Sequence, residues 1–252
     1  MPDAAALLET RALQKHFGGL VATDDVSLAI RPGELHAVIG PNGAGKTTLI
    51  NQISGLVAPD DGRILFAGHD ITALPAHARA RLGMARSFQM SSIVPSFSAL
   101  ENVALAVQSR AGSSFRLFGR AAAEASLNEQ AMAALADVGL AERVRAPAEQ
   151  LSHGEKRALE LAIAIAAGPK LLLLDEPTAG TGREETARLV ALLHRLKRRF
   201  PMVLVEHDMT AVFALADRIS VLLYGRVLAT GRPHEVRANP QVVAAYLGDE
   251  ME

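Results

Sequence analysis

The chain predicts an α/β fold in which a largely parallel sheet is wrapped by helices, preceded by a β-rich segment and interrupted by a helical one. Three observations carry this. After residue 150 helical patterns alternate with short apolar runs, residues 7–40 read as strands separated by turn signals, and roughly 75–150 is dominated by helical periodicity. At 252 residues the chain can bury a substantial core in one large domain.

The elements follow in order. LLETRALQKHF and then VSLAI alternate in and out, RPGE turns the chain, and LHAVIG is a continuous apolar strand. A helix is expected from Gly45 to about Gly55, closed by that glycine. PDDG then turns into RILFAG, a short strand ending in the turn GHD. Ser98 with Glu101 makes a capping-box pattern before ENVALAVQ, and RAAAEASLNEQAMAALADVGL predicts a helix with Gly139 just past its end. Between these two helices SRAGSSFRLFGR, residues 109–120, reads as a basic, solvated loop. The rest alternates: a helix near 153–167, the buried strand LLLLD, a helix over 183–198, the strand MVLVEH, a helix over 208–216 capped by Asp208, and the strand ISVLLY.

Composition excludes several function classes. Lys+Arg 26 against Asp+Glu 27 leaves a net charge of -1, so no global basic field gathers nucleic acid, and no nucleic-acid partner is expected. The absence of cysteine rules out disulfides, thiolate metal sites and cysteine nucleophiles. MPDAAALLET carries an acidic residue where a secretory signal would place positive charge, so export is not expected. The most apolar stretch, LAIAIAAGPKLLLL, is broken by Gly168, Pro169 and Lys170, well short of the ~20 residues that cross a bilayer.

The motifs point to phosphate chemistry. GPNGAGKT, residues 40–47, matches G-x-x-x-x-G-K-[ST] and lies between a predicted strand and a predicted helix. Its glycines let successive N–H groups face one centre, Lys46 reaches the terminal phosphates, the helix N-terminus adds positive charge, and Thr47 is placed to ligate Mg²⁺. LLLLDEP ends a buried strand in two acids: Asp175 can hold Mg²⁺ through water, and Glu176 can position a water for in-line attack on a γ-phosphate. Gln89 in ARSFQ reads by itself as a solvated loop amide, and His207 in VLVEHD, following an apolar strand, as a structural histidine. At the carboxyl end of a sheet, however, both stand where open α/β folds bind ligands. In LSHGEKR, residues 151–157, Ser152 and Glu155 form a second capping box, but Gly154 costs about 1 kcal/mol against alanine inside a first turn, so something should require its missing side chain.

GPNGAGKTT, ARSFQ, LSHGEKR, LLLLDEPTAG and VEHD, in this order and spacing, resemble the ATP-binding subunits of ABC transporters over essentially the whole chain. HFGGLVATDDVSL, ARSFQ, VEHDM and the tail EVRANPQVVAAYLG resemble the LivG-type ATPases of branched-chain amino acid importers. The resemblance implies the ABC ATPase fold: a P-loop NTPase core with parallel sheet, an N-terminal antiparallel β-subdomain and a helical subdomain. These would form one domain over 1–252, with 7–88 and 168–252 as core and β-subdomain and 89–167 as helical subdomain.

The same resemblance implies that Phe17 stacks on adenine, with a packed core aromatic as the alternative of equal weight. It implies that Gly40, Asn42, Gly43, Ala44, Gly45, Lys46, Thr47 and Thr48 wrap the phosphates, and that Thr47, Gln89 and Asp175 serve Mg²⁺. Glu176 would be general base and His207 the γ-phosphate sensor. Ser152, Gly154 and Glu155 would face the ATP held by a second cassette, identical or related. Residues 86–110 would receive a coupling helix from membrane permease subunits, with an external solute-binding protein feeding the complex and the chain peripheral on the cytoplasmic face. Two departures stand out. LSHGEKR differs from the common LSGGQ at His153 and Glu155, and AGTGREE lacks the aspartate or asparagine-proline often found after the catalytic glutamate, so no charged contact across a dimer is assigned to that loop. The ATPase of a lipid or lipopolysaccharide exporter, a soluble non-transport ABC ATPase and a P-loop kinase remain as alternatives.

Overall fold

The computed structural model describes residues 5–87, 93–110 and 122–244, and the structural statements below concern those residues. Along the chain the strands are β1 (Leu8–Phe17), β2 (Leu20–Ile30), β3 (Leu35–Ile39), β4 (Asp61–Phe66), β5 (His69–Asp70), β6 (Met84–Ser87), β7 (Leu171–Asp175), β8 (Met202–Val205), β9 (Arg218–Leu223) and β10 (Arg226–Gly231). The helices are α1 (Lys46–Ser54), α2 (Ala76–Arg81), α3 (Ala99–Arg110), α4 (Ala122–Asp137), α5 (His153–Ala166), α6 (Arg183–Leu196), α7 (Met209–Leu215), α8 (Pro233–Arg237) and α9 (Pro240–Val242).

Two sheets organise these elements. One is antiparallel, in the order β2-β1-β4-β5; the other has six strands in the order β10-β9-β3-β8-β7-β6, all parallel except the pairing of β10 with β9. Strands β3, β7 and β8 are buried at every residue, as parallel strands covered on both faces must be. One face of this sheet, with Ile39, Leu172, Leu174 and Leu204, packs on α3, α4, α5 and α6. The other, with Val38, Leu173 and Val205, packs on Leu49, Ile50 and Ile53 of α1, whose far side meets Leu13, Val26 and Ile64 of the antiparallel sheet. Helix α1 is thereby clamped between the two sheets.

The predicted elements are present, with boundaries that shift for physical reasons. VSLAI is the end of a longer strand that begins at Leu20; bulges, with Ala12 and Asp25 at φ 50 and 57, break the alternation that would have marked the whole strand. The stretch from residue 75 is not helical throughout: Met84, Ala85, Arg86 and Ser87 pair in register with Leu171, Leu172, Leu173 and Leu174, adding an edge strand too short to show a period. Strand β10 lacks clean alternation and was not foreseen. Ser109 and Arg110 extend α3, while 111–120 of the predicted loop lie outside the described residues. Both predicted capping boxes form: Glu101 accepts from the Ser98 amide at 2.7 Å, and Glu155 from the Ser152 amide at 2.8 Å.

Arg79 of α2 completes the clamp on α1. Only 1% exposed, it donates Nη1 to the carbonyls of Gln52 (2.6 Å) and Ile53 (2.7 Å), Nη2 to Thr72 O (2.9 Å) and Nε to Leu74 O (2.8 Å). It thus closes the C-terminal end of α1 with a charge of the favoured sign. Burial pushes its pKa down to about 10, opposed by Asp70, so it stays charged at neutral pH.

Candidate nucleotide site

Strand β8 lies between β3 and β7, so the three loops leaving their carboxyl ends are neighbours. The phosphate-loop motif follows β3, Asp175 ends β7 with Glu176 next after it, and His207 follows β8. Open α/β sheets bind ligands at this edge.

The loop after β3 is shaped by close approaches. A Cβ on Gly40 would lie 2.1 Å from the Leu222 carbonyl oxygen, and one on Gly45 2.1 Å from that of Ala22, with Gly45 at φ 102. At Gly43 the space above the Cα is open to 4 Å. Gly45 is the N-cap of α1 and offers no side chain to it, so the first amides of the helix, including those of Lys46, Thr47 and Thr48, point outward without a capping acceptor. An uncapped helix start beside an open, left-handed loop is an anion cradle. Asn42 and Thr47 are exposed beside it, and Ala44 is buried beneath, its carbonyl taking the Gly225 amide at 3.0 Å. Gly45→Ala should weaken ATP binding by more than about tenfold, the factor that about 1.4 kcal/mol brings; equilibrium dialysis with labelled ATP reads this, and parental affinity would contradict the cradle.

Lys46 lies inside the loop, its Nζ donating to Gly40 O at 2.6 Å and Pro41 O at 3.1 Å. Burial lowers its pKa, while Glu176, Asp175 and Glu206 pull it back up, which places all four groups in one electrostatic neighbourhood. Asp175 is buried, which raises its pKa, and Arg86 acts against this through a 2.8 Å bond from Nη2 to Oδ2. The same guanidinium donates Nη1 to Asn51 Oδ1 (2.6 Å) and Ser54 Oγ (2.9 Å), tying β6 and β7 to α1. Glu176 has φ 48, an uncommon conformation for glutamate, and is held by donating its amide to Val205 O at 2.8 Å. His207 is exposed, its Nδ1 4.0 Å from Glu176 Oε2 and 3.6 Å from Glu206 Oε2. The outward amides, the buried ammonium, the exposed Thr47 hydroxyl and the Asp175 carboxylate fit a nucleoside polyphosphate with a divalent cation.

Phe17 is 49% exposed at the end of β1, with Lys15 Nζ 5.5 Å from its ring centroid. It is therefore no core aromatic, and its ring is free to stack. Gln89 lies outside the described residues. Ser152, Gly154 and Glu155 open α5 in the helical layer, and among the described residues no hydrogen bond or ion pair joins them to the phosphate loop. The Glu155 carboxylate is committed to the Ser152 amide, which lowers its pKa, and to Arg143 at 3.0 Å. A Cβ on Gly154 would meet only the tip of the Glu185 side chain, at 3.0 Å, and a carboxylate can swing aside. The nearest neighbours of Gly154 outside its own helix are thus side-chain atoms of Glu185, not backbone.

Sequence reasoning missed three residues. Besides Arg86, whose signal was its place three residues before Gln89, Arg157 of LSHGEKR donates to the carbonyls of Pro177 and Ala179, fastening α5 to the loop after β7. Glu206, the acid inside VLVEHD, is fully buried.

A P-loop, a strand-end acid pair and a nearby histidine on a doubly covered parallel sheet define a P-loop nucleotide hydrolase, an ATPase. The family model for ABC transporters matches residues 23–179, and that for the branched-chain amino acid ATP-binding cassette transporter matches residues 226–252. The chain belongs to the ABC transporter family, as an ATP-binding subunit. It is 38% identical to the high-affinity branched-chain amino acid transport ATP-binding protein LivG of Escherichia coli K12, covering 96% of this chain and 98% of that one. It is also 38% identical to BraF of Pseudomonas aeruginosa, of the same description, with the same coverage. The ADP conformation of an ATP-binding cassette of an ABC transporter superposes with a TM-score of 0.84 at 27% identity, covering 97% of this chain and 100% of that one. A dimeric bacterial ABC transporter cassette gives 0.76 at 25% identity, covering 90% and 98%. No helix among the described residues is long and apolar enough to cross a membrane.

Proposed function

We propose that this chain hydrolyses ATP to power import of a small polar solute, branched-chain amino acids first, through an ABC transporter. The observation that carries the reading is the near-complete match to LivG, reinforced by the branched-chain model over residues 226–252. Phe17 stacks on adenine, and Gly40, Asn42, Gly43, Ala44, Gly45, Lys46, Thr47 and Thr48 hold the phosphates, Lys46 exchanging loop carbonyls for phosphate oxygens. Thr47 and Asp175, with Gln89, would hold Mg²⁺, which when bound neutralises charge on the phosphates. Glu176 takes the proton of the attacking water, and His207, beside it, hydrogen-bonds the γ-phosphate.

Ser152 and Gly154 act on a second cassette. Gly154 has side-chain atoms of Glu185, not backbone, as its nearest neighbours outside its own helix, and it opens a helix whose N-terminus favours an anion. A γ-phosphate held by a partner cassette fits both facts, and Glu155 contributes by capping the turn. Two cassettes close over two ATPs, gaining contacts that hydrolysis removes. They dock on permease subunits at the cytoplasmic face of the membrane, which a solute-binding protein serves from outside. Residues 86–110 supply the docking face, and 89–167 are the helical subdomain. Purifying the chain from detergent-solubilised membranes should recover two permeases and a second cassette; recovery of the chain alone would refute the assembly. In that assembly Ser152→Arg should abolish turnover while the isolated chain still binds ATP, and a parental rate would remove the signature turn from the reaction.

A further inference from the structure

We propose that Glu206 is a positioning residue for ATP hydrolysis, its buried carboxylate tying the loop that carries Glu176 to the loop that carries His207. The proposal rests on the assignment of those two residues to the reaction.

Strand β8 is an unbroken apolar run, Met202, Val203, Leu204 and Val205, until it meets a carboxylate that is 0% exposed. Burying such a charge costs several kcal/mol, and an apolar residue of similar volume would often serve stability as well or better. The glutamate is better explained by what its two oxygens hold. Oε1 accepts the Thr178 amide at 2.8 Å and the Thr178 hydroxyl, both from the loop after β7. Oε2 accepts the amides of His207 at 2.8 Å and Asp208 at 3.2 Å, both from the loop after β8. One rigid carboxylate therefore spans the two loops, with all four bonds charge-assisted.

The geometry around it amplifies the effect. Glu176, two residues before Thr178, sits in a conformation that persists only when its surroundings hold it, and its amide is bonded to Val205, one residue before Glu206. His207 Nδ1 faces Glu206 Oε2 at 3.6 Å and Glu176 Oε2 at 4.0 Å, so the ring is set between the two carboxylates. Arg157 grips the carbonyls of Pro177 and Ala179 on either side of Thr178, so the loop is held from the signature helix by a cation and from β8 by an anion. Glutamine at 206 keeps the volume but presents an NH₂ group to donors on one loop or the other, which releases that loop.

The test is a cycle in the full chain co-purified with its partner subunits: Glu206→Gln, His207→Ala and the double variant, with kcat, KM for ATP and the melting temperature read for each. Glu206→Gln should lower kcat about 10²-fold, the loss that a misplacement of about 1 Å brings, with KM within about twofold. In the His207→Ala background it should cost only about tenfold, because one of the two groups it positions is gone while Glu176 remains. A purely structural role would lower turnover by the same factor in both backgrounds, and that result, or parental kcat in Glu206→Gln, overturns the proposal. Should Glu206→Gln fail to fold, Thr178→Val removes one bond while leaving the carboxylate; kcat should fall at unchanged KM, and an unchanged kcat overturns it. Parental rates in Glu176→Gln and in His207→Ala alone would sink the underlying site assignment instead, a result visible without any Glu206 variant.

Discussion

Glu176→Gln is expected to bind ATP as the parent does and to hydrolyse it about 10²- to 10⁴-fold more slowly, the contribution of a positioned general base. Glutamine is isosteric, so the amide bond to Val205 O at 2.8 Å and the unusual backbone conformation at φ 48 have no reason to change. What disappears is the carboxylate that would accept the water's proton beside His207. Lys46 loses one of the three acids that support its charge, but Asp175 and Glu206 remain, so phosphate binding should survive. Steady-state turnover together with binding of a fluorescent ATP analogue separates the two quantities. Turnover at the parental rate would remove Glu176 from the role of base; loss of binding would show that its charge serves the nucleotide rather than the water.

Arg79→Leu should lower stability by about 3–5 kcal/mol, among the larger effects a single substitution brings. The replacement fits an apolar surrounding, yet it strips the carbonyls of Gln52, Ile53, Thr72 and Leu74 of their donor at once. Each buried acceptor left bare costs about 1–3 kcal/mol when relaxation cannot satisfy it. Relief of burying a cation, evident in the pKa depressed to about 10, offsets part of the sum. At roughly 2–4 °C per kcal/mol for a protein of this size, the melting temperature should fall by about 6–20 °C. A calorimetric shift of less than about 2 °C would mean that water replaces the guanidinium at all four carbonyls. Because α1 carries the phosphate loop at its other end, weaker ATP binding should accompany the loss.

Much of the candidate site was legible along the chain because its signals are local. Eight consecutive residues define the phosphate loop, and four define each capping box, since the backbone groups they satisfy belong to the same turn. Arg86 and Glu206 were not legible in that way. Their partners lie 89 and 28 residues away, and nothing in ARSFQ or VLVEHD says which strand will lie alongside. Phe17 shows the limit from the other side: as a lone aromatic at a strand end it was equally a packing residue and a stacking one, and only its exposure removes the packing alternative.

The sequence by itself determined the α/β order, the helix starts and stops, and the kinds of chemical group available, because each of these follows from periodicity and from the hydrogen-bonding needs of neighbouring residues. The tertiary structure decided which groups meet. Placing β8 between β3 and β7 brings Lys46, Glu176 and His207 to one edge, and it turns a glutamate inside an apolar strand into a bridge between two loops. It also showed what LSHGEKR could not: the nearest neighbours of Gly154 outside its own helix, among the described residues, are side-chain atoms of Glu185. Contacts across the chain are set by how buried surfaces stack, and that information is distributed over every strand and helix rather than held in any one motif.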